Sequence, residues 1–188
     1  NPADTGFVHG ETFISIERTS MSTPHAAGAM LLLKGAYRDW SPANIQSALM
    51  STATLPVNQV SEEDGSLQPT SVFDRGSGAI NALSAYNAGL LFDYSADDFR
   101  NLPFSEVNLA SIFFGEVASQ ATRSRTLRSS TFSNSTWNFF VTPTGDASCA
   151  VYVVDPVTVS LEEGEAVTLT VSVDVSPEEC EVGEIFEG

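Results

Sequence analysis

The chain has 188 residues, 42% of them apolar, which allows one domain or two small ones with a packed core. Its formal net charge of -16 would repel phosphate backbones and anionic lipid headgroups, which argues against nucleic acid as a partner. The longest apolar run, residues 26–33, is far shorter than the roughly 20 residues of a spanning helix, so no membrane helix is predicted.

Two helices are predicted in the first half of the chain. Small and apolar side chains run from Thr23 to Tyr37, and Pro24 suits the first turn of a helix, so this segment predicts a buried helix. The next begins at Pro42, with Ser41 as its N-cap and apolar residues at helical spacing, which predicts an amphipathic helix over residues 42–50.

Turn-forming residues dominate the rest of that half. Residues 56–71 are acidic and contain prolines, which predicts an exposed loop, and residues 73–78 read as a glycine-rich turn. A short helix is expected over residues 79–86. The acids at 62–64 suit a solvated loop better than an ion site, so no metal ligand is assigned.

The second half predicts strands. Residues 94–188 hold 15 of the 24 acidic residues, and β-branched segments replace the Ala- and Leu-rich ones. Strands are expected at 151–154, 157–161 and 166–175, where the last alternates apolar with polar side chains, and also at 111–117 and 137–141. The turns between the later strands favour an antiparallel sandwich.

The two cysteines, Cys149 and Cys180, are candidates for a disulfide. The bond would close a loop of about 30 residues, contribute roughly 3 to 4 kcal/mol and suit an oxidising compartment. Two unpaired thiols are the alternative. Asn134, Ser135 and Thr136 match the N-glycosylation sequon, which has meaning only in a eukaryotic secretory host.

Ser20 is the candidate for nucleophilic chemistry. It directly precedes the predicted buried helix, whose unpaired N–H groups and partial positive charge would face an anion formed on a substrate that Ser20 attacks. Small residues at 26–29 would let the helix pack closely and hold the serine rigidly. A helix cap is the alternative role, for Ser20 itself or for Ser22.

Residues 18–28 read RTSMSTPHAAG and resemble the nucleophile motif of subtilisin-like serine proteases, G-T-S-M-[SA]-x-P-H-[VA]-[AS]-G. The similarity continues through residues 39–53 and through 73–81, which read FDRGSGAIN where the family has F-D-x-G-x-G-x-[IV]-N. The resemblance implies an α/β fold: an incomplete, helix-rich C-terminal portion of a subtilisin-like three-layer fold over residues 1–102. Residues 103–188 resemble the all-β fibronectin-III-like sandwich that follows it in the plant-type branch, and we expect this sandwich to be truncated at its end.

The resemblance also implies residue roles. Ser20 would be the nucleophile, and its backbone N–H would donate to the oxyanion, while Thr19 and Met21 would line the site. His25 corresponds to a structural helix residue of the family and not to its catalytic base. His9, Asp4 and Asp39 match no catalytic motif of the family.

The departures from the family limit what this chain can do. Arg18 replaces a glycine beside the nucleophile, where a bulky residue could strain the backbone or intrude on the site. The family's catalytic Asp, its His base and its oxyanion Asn would all lie upstream of residue 1. Without a base, the hydroxyl of Ser20 is a poor nucleophile, so we expect the chain by itself to be inactive.

Two functions therefore stay open. The first is part of a secreted serine endopeptidase that hydrolyses polypeptides through an acyl-Ser20 intermediate. The second is a non-catalytic role, as a pseudoprotease fragment or a β-sandwich binding or stability module. The resemblance implies no cofactor at any residue of this sequence, and calcium in the longer protein stays unassigned.

Overall fold

A computed structural model describes residues 18–55, 58–61, 64–131, 133–142 and 149–175 of the chain. Five helices and eight strands are found in these ranges. The helices are α1 (Thr19–Ala36), α2 (Pro42–Ser51), α3 (Val72–Arg75), α4 (Ala82–Tyr86) and α5 (Ala96–Asn101). The strands are β1 (Asn58–Val60), β2 (Leu67–Pro69), β3 (Leu90–Phe92), β4 (Gln120–Ser129), β5 (Ser135–Asn138), β6 (Val151–Asp155), β7 (Thr158–Leu161) and β8 (Ala166–Asp174).

The start of α1 corrects the sequence prediction. The helix begins at Thr19 rather than Thr23, so Pro24 lies at its sixth position and not in its first turn. The prediction of a buried helix is also wrong within the described residues, because only Ala29 and Leu33 of α1 are buried. Leu31 and Leu32 are each 72% exposed.

Helix α2 confirms its prediction. The Ser41 hydroxyl accepts the Asn44 N–H, and the Asn44 side chain accepts the Ser41 N–H, which completes a capping box ahead of Pro42. Ile45, Ala48 and Leu49 are buried as the helical spacing requires. The local sequence therefore sets both the start of this helix and the face that it buries.

A small core joins the helices to strand β3. Leu33 from α1 packs with Leu49 from α2, Ala85 from α4 and Leu91 from β3. Trp40 packs against this core from its edge. Ser47 is buried, and its hydroxyl accepts the Phe92 N–H, which fixes β3 against α2.

The predicted loop and turn of the first half contain regular structure. Within residues 56–71, β1 and β2 form an antiparallel pair, so the loop prediction is wrong there, although the β1 side chains are exposed as expected. The predicted turn at 73–78 overlaps α3, and Gly76 and Gly78 after it adopt positive φ. The following helix, α4, begins at Ala82 with Asn81 as its cap, three residues later than predicted.

Four strands form one antiparallel sheet in the order β3-β4-β8-β6, and β5 pairs separately with β7. The strands predicted near 151, 157 and 166 are confirmed as β6, β7 and β8. The strand predicted at 137–141 is confirmed only in part, as β5. The strand predicted at 111–117 is wrong, because no described residue of that segment lies in a strand.

Strands β3 and β4 and helix α5 were not predicted. The inward face of β4 carries Arg125 and Ser129, both buried, so the strand lacks the apolar alternation that predicts one. The guanidinium of Arg125 donates to the carbonyl oxygens of Ser105, Leu109 and Ser111 at 2.9–3.2 Å. Arg125 thus holds the irregular segment before β4 against the sheet. Burial lowers its pKa, and the nearby Arg123 lowers it further.

Candidate functional site

Ser20 occupies the second position of α1, and its neighbours Thr19 and Met21 share that first turn. All three side chains are exposed. A first-turn position leaves the backbone N–H groups of Thr19 and Ser20 without an acceptor inside the helix. The Ser20 hydroxyl and its own N–H are therefore both available at the positive end of the helix dipole.

Neither Ser20 nor Ser22 caps the helix, so the alternative role as an N-cap is wrong for both serines. The N-cap is Arg18, whose side chain makes no capping bond. Ser22 instead donates its hydroxyl to the Arg18 carbonyl oxygen at 3.4 Å, and Thr23 donates to the Thr19 carbonyl oxygen at 3.0 Å. Among the described residues, no hydrogen bond occupies the Ser20 hydroxyl.

Pro24 affects the same turn in a different way from the one expected. At the sixth position of the helix, proline lacks the N–H that would otherwise bond the Ser20 carbonyl oxygen four residues earlier. The proline ring also crowds that carbonyl. The first turn consequently has fewer internal bonds than the body of α1.

Arg18 does not require a special backbone conformation. Its φ of -168° and ψ of 157° are extended values that any residue adopts. The expectation that a side chain at position 18 strains the backbone is therefore wrong in this structure. The Arg18 side chain is exposed.

No histidine or carboxylate of the described ranges is hydrogen-bonded to the Ser20 hydroxyl. His25 is exposed, and its Nδ1 atom lies 2.7 Å from the Met21 carbonyl oxygen, which acts as acceptor for the ring N–H. Asp39 follows the opposite end of α1, and sixteen helical steps at 1.5 Å put Ser20 and that end about 24 Å apart. Asp4 and His9 lie outside the described residues.

Cys149 is buried and is not a free thiol. Cys180 lies outside the described residues, so the bond between them stays a prediction. No cluster of three or more His, Cys, Asp or Glu side chains able to hold a metal occurs in the part of the chain that the structure describes. In the predicted acidic loop, Asp64 accepts the hydroxyl and the N–H of Ser66, and these bonds lower its pKa.

A cavity of about 390 Å³ lies between β4 and the segment that follows β3, on residues that the nucleophile motif does not include. Three of its polar side chains, Asp93, Asp98 and Asn108, make hydrogen bonds to other residues. Asp93 accepts the Ser41 hydroxyl, and the Asp98 carboxylate accepts the Ser95 N–H in the capping box of α5. Asn108 bridges the backbones at Asp93 and Thr126. The bonds from Ser95 lower the Asp98 pKa. Asp93 and Asn108 therefore link neighbouring elements of the fold.

Comparison with known proteins agrees with the motif. Residues 2–82 match the Subtilase family. The Arabidopsis thaliana protein "Subtilisin-like protease SBT2.3" is 30% identical over 92% of this chain and 24% of its own length. Two further proteins of that plant, "Subtilisin-like protease SBT2.6" and "Subtilisin-like protease SBT3.18", are 41% and 45% identical over 53% and 43% of the chain.

This chain spans about a quarter of the length of the first of these relatives, and 13% and 11% of the other two. The match therefore places the similarity to the Subtilase family in residues 2–82, the part of the chain that contains Ser20. The mixture of helices and sheets is consistent with an α/β fold of that type. No described helix is long and apolar enough to cross a membrane.

Proposed function

We propose that the chain is the C-terminal part of a subtilisin-like serine endopeptidase, with Ser20 as its nucleophile. The observation that carries the proposal is the exposed Ser20 in the first turn of α1, within a motif that lies inside the family match. In the longer protein, the Ser20 hydroxyl would attack the substrate carbonyl, and the Ser20 N–H would donate to the oxyanion. Thr19 and Met21 would line the site.

The base is the part of this mechanism that the described residues do not supply. A serine hydroxyl is protonated at neutral pH and needs a neighbouring base to accept its proton during attack. His25 is bound to its own helix and Asp39 is at the far end of α1. We therefore propose that the base, the aspartate that orients it and the oxyanion asparagine come from other residues of the longer protein, and that this chain by itself is inactive.

The second part of the proposal is the domain organisation of the chain. Residues 1–102 would belong to the peptidase domain, and residues 103–188 would form the fibronectin-III-like sandwich. Strand β3 of the first unit pairs with β4 of the second, so one sheet would contain strands from both units. Secretion would suit Cys149, which is not a free thiol, since disulfides persist in oxidising compartments.

A fluorophosphonate probe, which labels only activated serines, tests the assignment in the longer protein. We expect labelling of the wild type, no labelling of Ser20→Ala, and normal labelling of Ser22→Ala, an exposed serine of the same helix. Loss of the nucleophile should lower kcat by up to about 10⁶, as in subtilisin itself. Labelling that persists in Ser20→Ala would refute the assignment.

A non-catalytic role is the second candidate, and Arg18 is the observation that favours it. An exposed cation stands beside Ser20 where the family has glycine. Arg18→Gly in the longer protein separates the two functions. A pseudoprotease stays unlabelled by the probe in the wild type, and labelling that appears only in Arg18→Gly would identify Arg18 as the cause.

A further inference from the structure

Asn134, Ser135 and Thr136 form the single N-x-S/T sequon of the sequence, and the structure puts it at the surface. Asn134 lies in the connection that leads from β4 into β5 and is exposed. Exposed and partly buried residues alternate from 134 to 138. Asn134 and Thr136 therefore face outward, while Trp137 between the outward positions faces inward.

The contacts of the sequon leave its asparagine available. The Thr136 hydroxyl bonds the Ser160 hydroxyl on β7 at 2.8 Å, and the Ser135 hydroxyl donates to the Ser133 carbonyl oxygen at 3.2 Å. No hydrogen bond joins the Asn134 side chain to another residue in the described ranges. A large group attached to the Asn134 amide would extend into solvent and would displace no core side chain.

The state of Cys149 indicates the compartment in which such a group is attached. This cysteine is buried and is not a free thiol, which is expected of a chain that folds in an oxidising compartment. In eukaryotes that compartment is also where sequon asparagines receive oligosaccharides. We propose that Asn134 is an N-glycosylation site of this protein, used when the chain enters the secretory compartment of a eukaryotic cell.

The transfer requires a lipid diphosphate-linked oligosaccharide as its co-reactant and the host's membrane oligosaccharide transferase as catalyst. The Asn134 amide nitrogen forms a bond to the anomeric carbon of the first sugar. The bond between that carbon and the diphosphate oxygen breaks, and the lipid diphosphate leaves with the electron pair. The amide nitrogen loses one proton to a base of the transferase, so nothing is oxidised or reduced.

The test is to express the full chain behind a cleavable secretory leader in yeast and to measure its mass before and after a glycoamidase, which hydrolyses the amide bond between asparagine and the first sugar. Secreted and retained chains are pooled, so that poor folding cannot hide the result. We expect one oligosaccharide on the wild type, with enzymatic release of the sugar converting Asn134 to Asp. Asn134→Gln and Thr136→Ala should carry none.

Two variants serve as matched controls. Thr136→Ser keeps the hydroxyl that defines the sequon and should keep the sugar, which separates loss of the motif from loss of the Thr136–Ser160 contact. Val60→Thr in the Asn134→Gln background creates a sequon at Asn58, an exposed residue of β1, and should be modified there. This second control shows that the chain meets the transferase.

Leader-cleaved wild-type chain without releasable sugar would overturn the proposal, as would sugar that persists in Asn134→Gln. The proposal is independent of Ser20, because the sequon and the nucleophile motif share no residue. Failure of one therefore leaves the other standing.

Discussion

The two ends of α1 differ in how firmly the rest of the chain holds them. At the C-terminal end, Leu33 is buried, and the Lys34 ammonium donates to two carbonyl oxygens of the following turn. Tyr37 stacks on Trp40 with 4.0 Å between the ring centroids, and its hydroxyl donates to the Tyr86 carbonyl oxygen. Burial raises the Tyr37 pKa, and the neighbouring Tyr86 raises it further.

The N-terminal end has no comparable support within the described residues. Its side-chain bonds run from Ser22, Thr23 and His25 to carbonyl groups one turn earlier in the same helix. The motif residues proposed for chemistry therefore lie where this chain holds its backbone least, and the structural residues lie at the other end. This difference is what we expect of a nucleophile whose cleft other residues complete.

Of the three variants that test this comparison, Leu33→Ala is expected to lower the stability most. Truncating a side chain that is 2% exposed removes apolar contacts and leaves a cavity, so we expect about 3 kcal/mol of lost stability in urea unfolding followed by Trp40 fluorescence. Leu32→Ala, one residue earlier and 72% exposed, should change stability by less than about 0.5 kcal/mol. Equal costs for the two variants would contradict the burial pattern of α1.

Arg125→Ala tests whether the buried guanidinium stabilises the segment that precedes β4 in the second half of the chain. The variant leaves the carbonyl oxygens of residues 105, 109 and 111 without their donor, which we expect to cost about 2 to 3 kcal/mol. Arg128→Ala on the exposed face of β4 is the control and should cost below about 1 kcal/mol. Unfolding followed by Trp137 fluorescence measures both, and a neutral Arg125→Ala would show that the buried guanidinium does not support this segment.

Gly89→Ala has the smallest expected cost of the three. A Cβ at Gly89 would lie 2.4 Å from the Trp137 ring, so the ring must shift, at about 1 to 2 kcal/mol in urea unfolding. Gly28→Ala in α1 meets no atom within 4 Å and should instead stabilise the helix by up to about 1 kcal/mol. If Gly28→Ala were as harmful as Gly89→Ala, α1 would be packed more closely than this structure shows.

Local signals account for the parts of the fold that the sequence predicted well. Ser41 and Pro42 start α2 through contacts within four residues, and the alternation from Ala166 onward belongs to β8 itself. The same kind of signal misplaced the start of α1. Proline at position 24 is typical of a first turn, yet the helix extends to Thr19 although Pro24 lacks the N–H that would bond the Ser20 carbonyl oxygen.

The failed strand predictions have a common cause in long-range contacts. Residues 111–117 are apolar enough for a strand, but the Ser111 carbonyl oxygen bonds the Arg125 guanidinium instead of a neighbouring strand. Arg125 also explains why β4 was not predicted, since a charged residue at an inward position breaks the apolar–polar alternation that predicts a strand. Fourteen or more residues separate these partners, so no local window of sequence contains the interaction.

The sequence by itself determined the subtilase-like motif around Ser20, the capped helix α2 and the alternation of β8, because each depends on residues within a few positions of one another. The tertiary structure decided which of three successive leucines in α1 is buried, that β3 joins β4, and that Arg125 fills an inward position. Burial of a side chain depends on partners far along the chain, and only the folded arrangement brings those partners together.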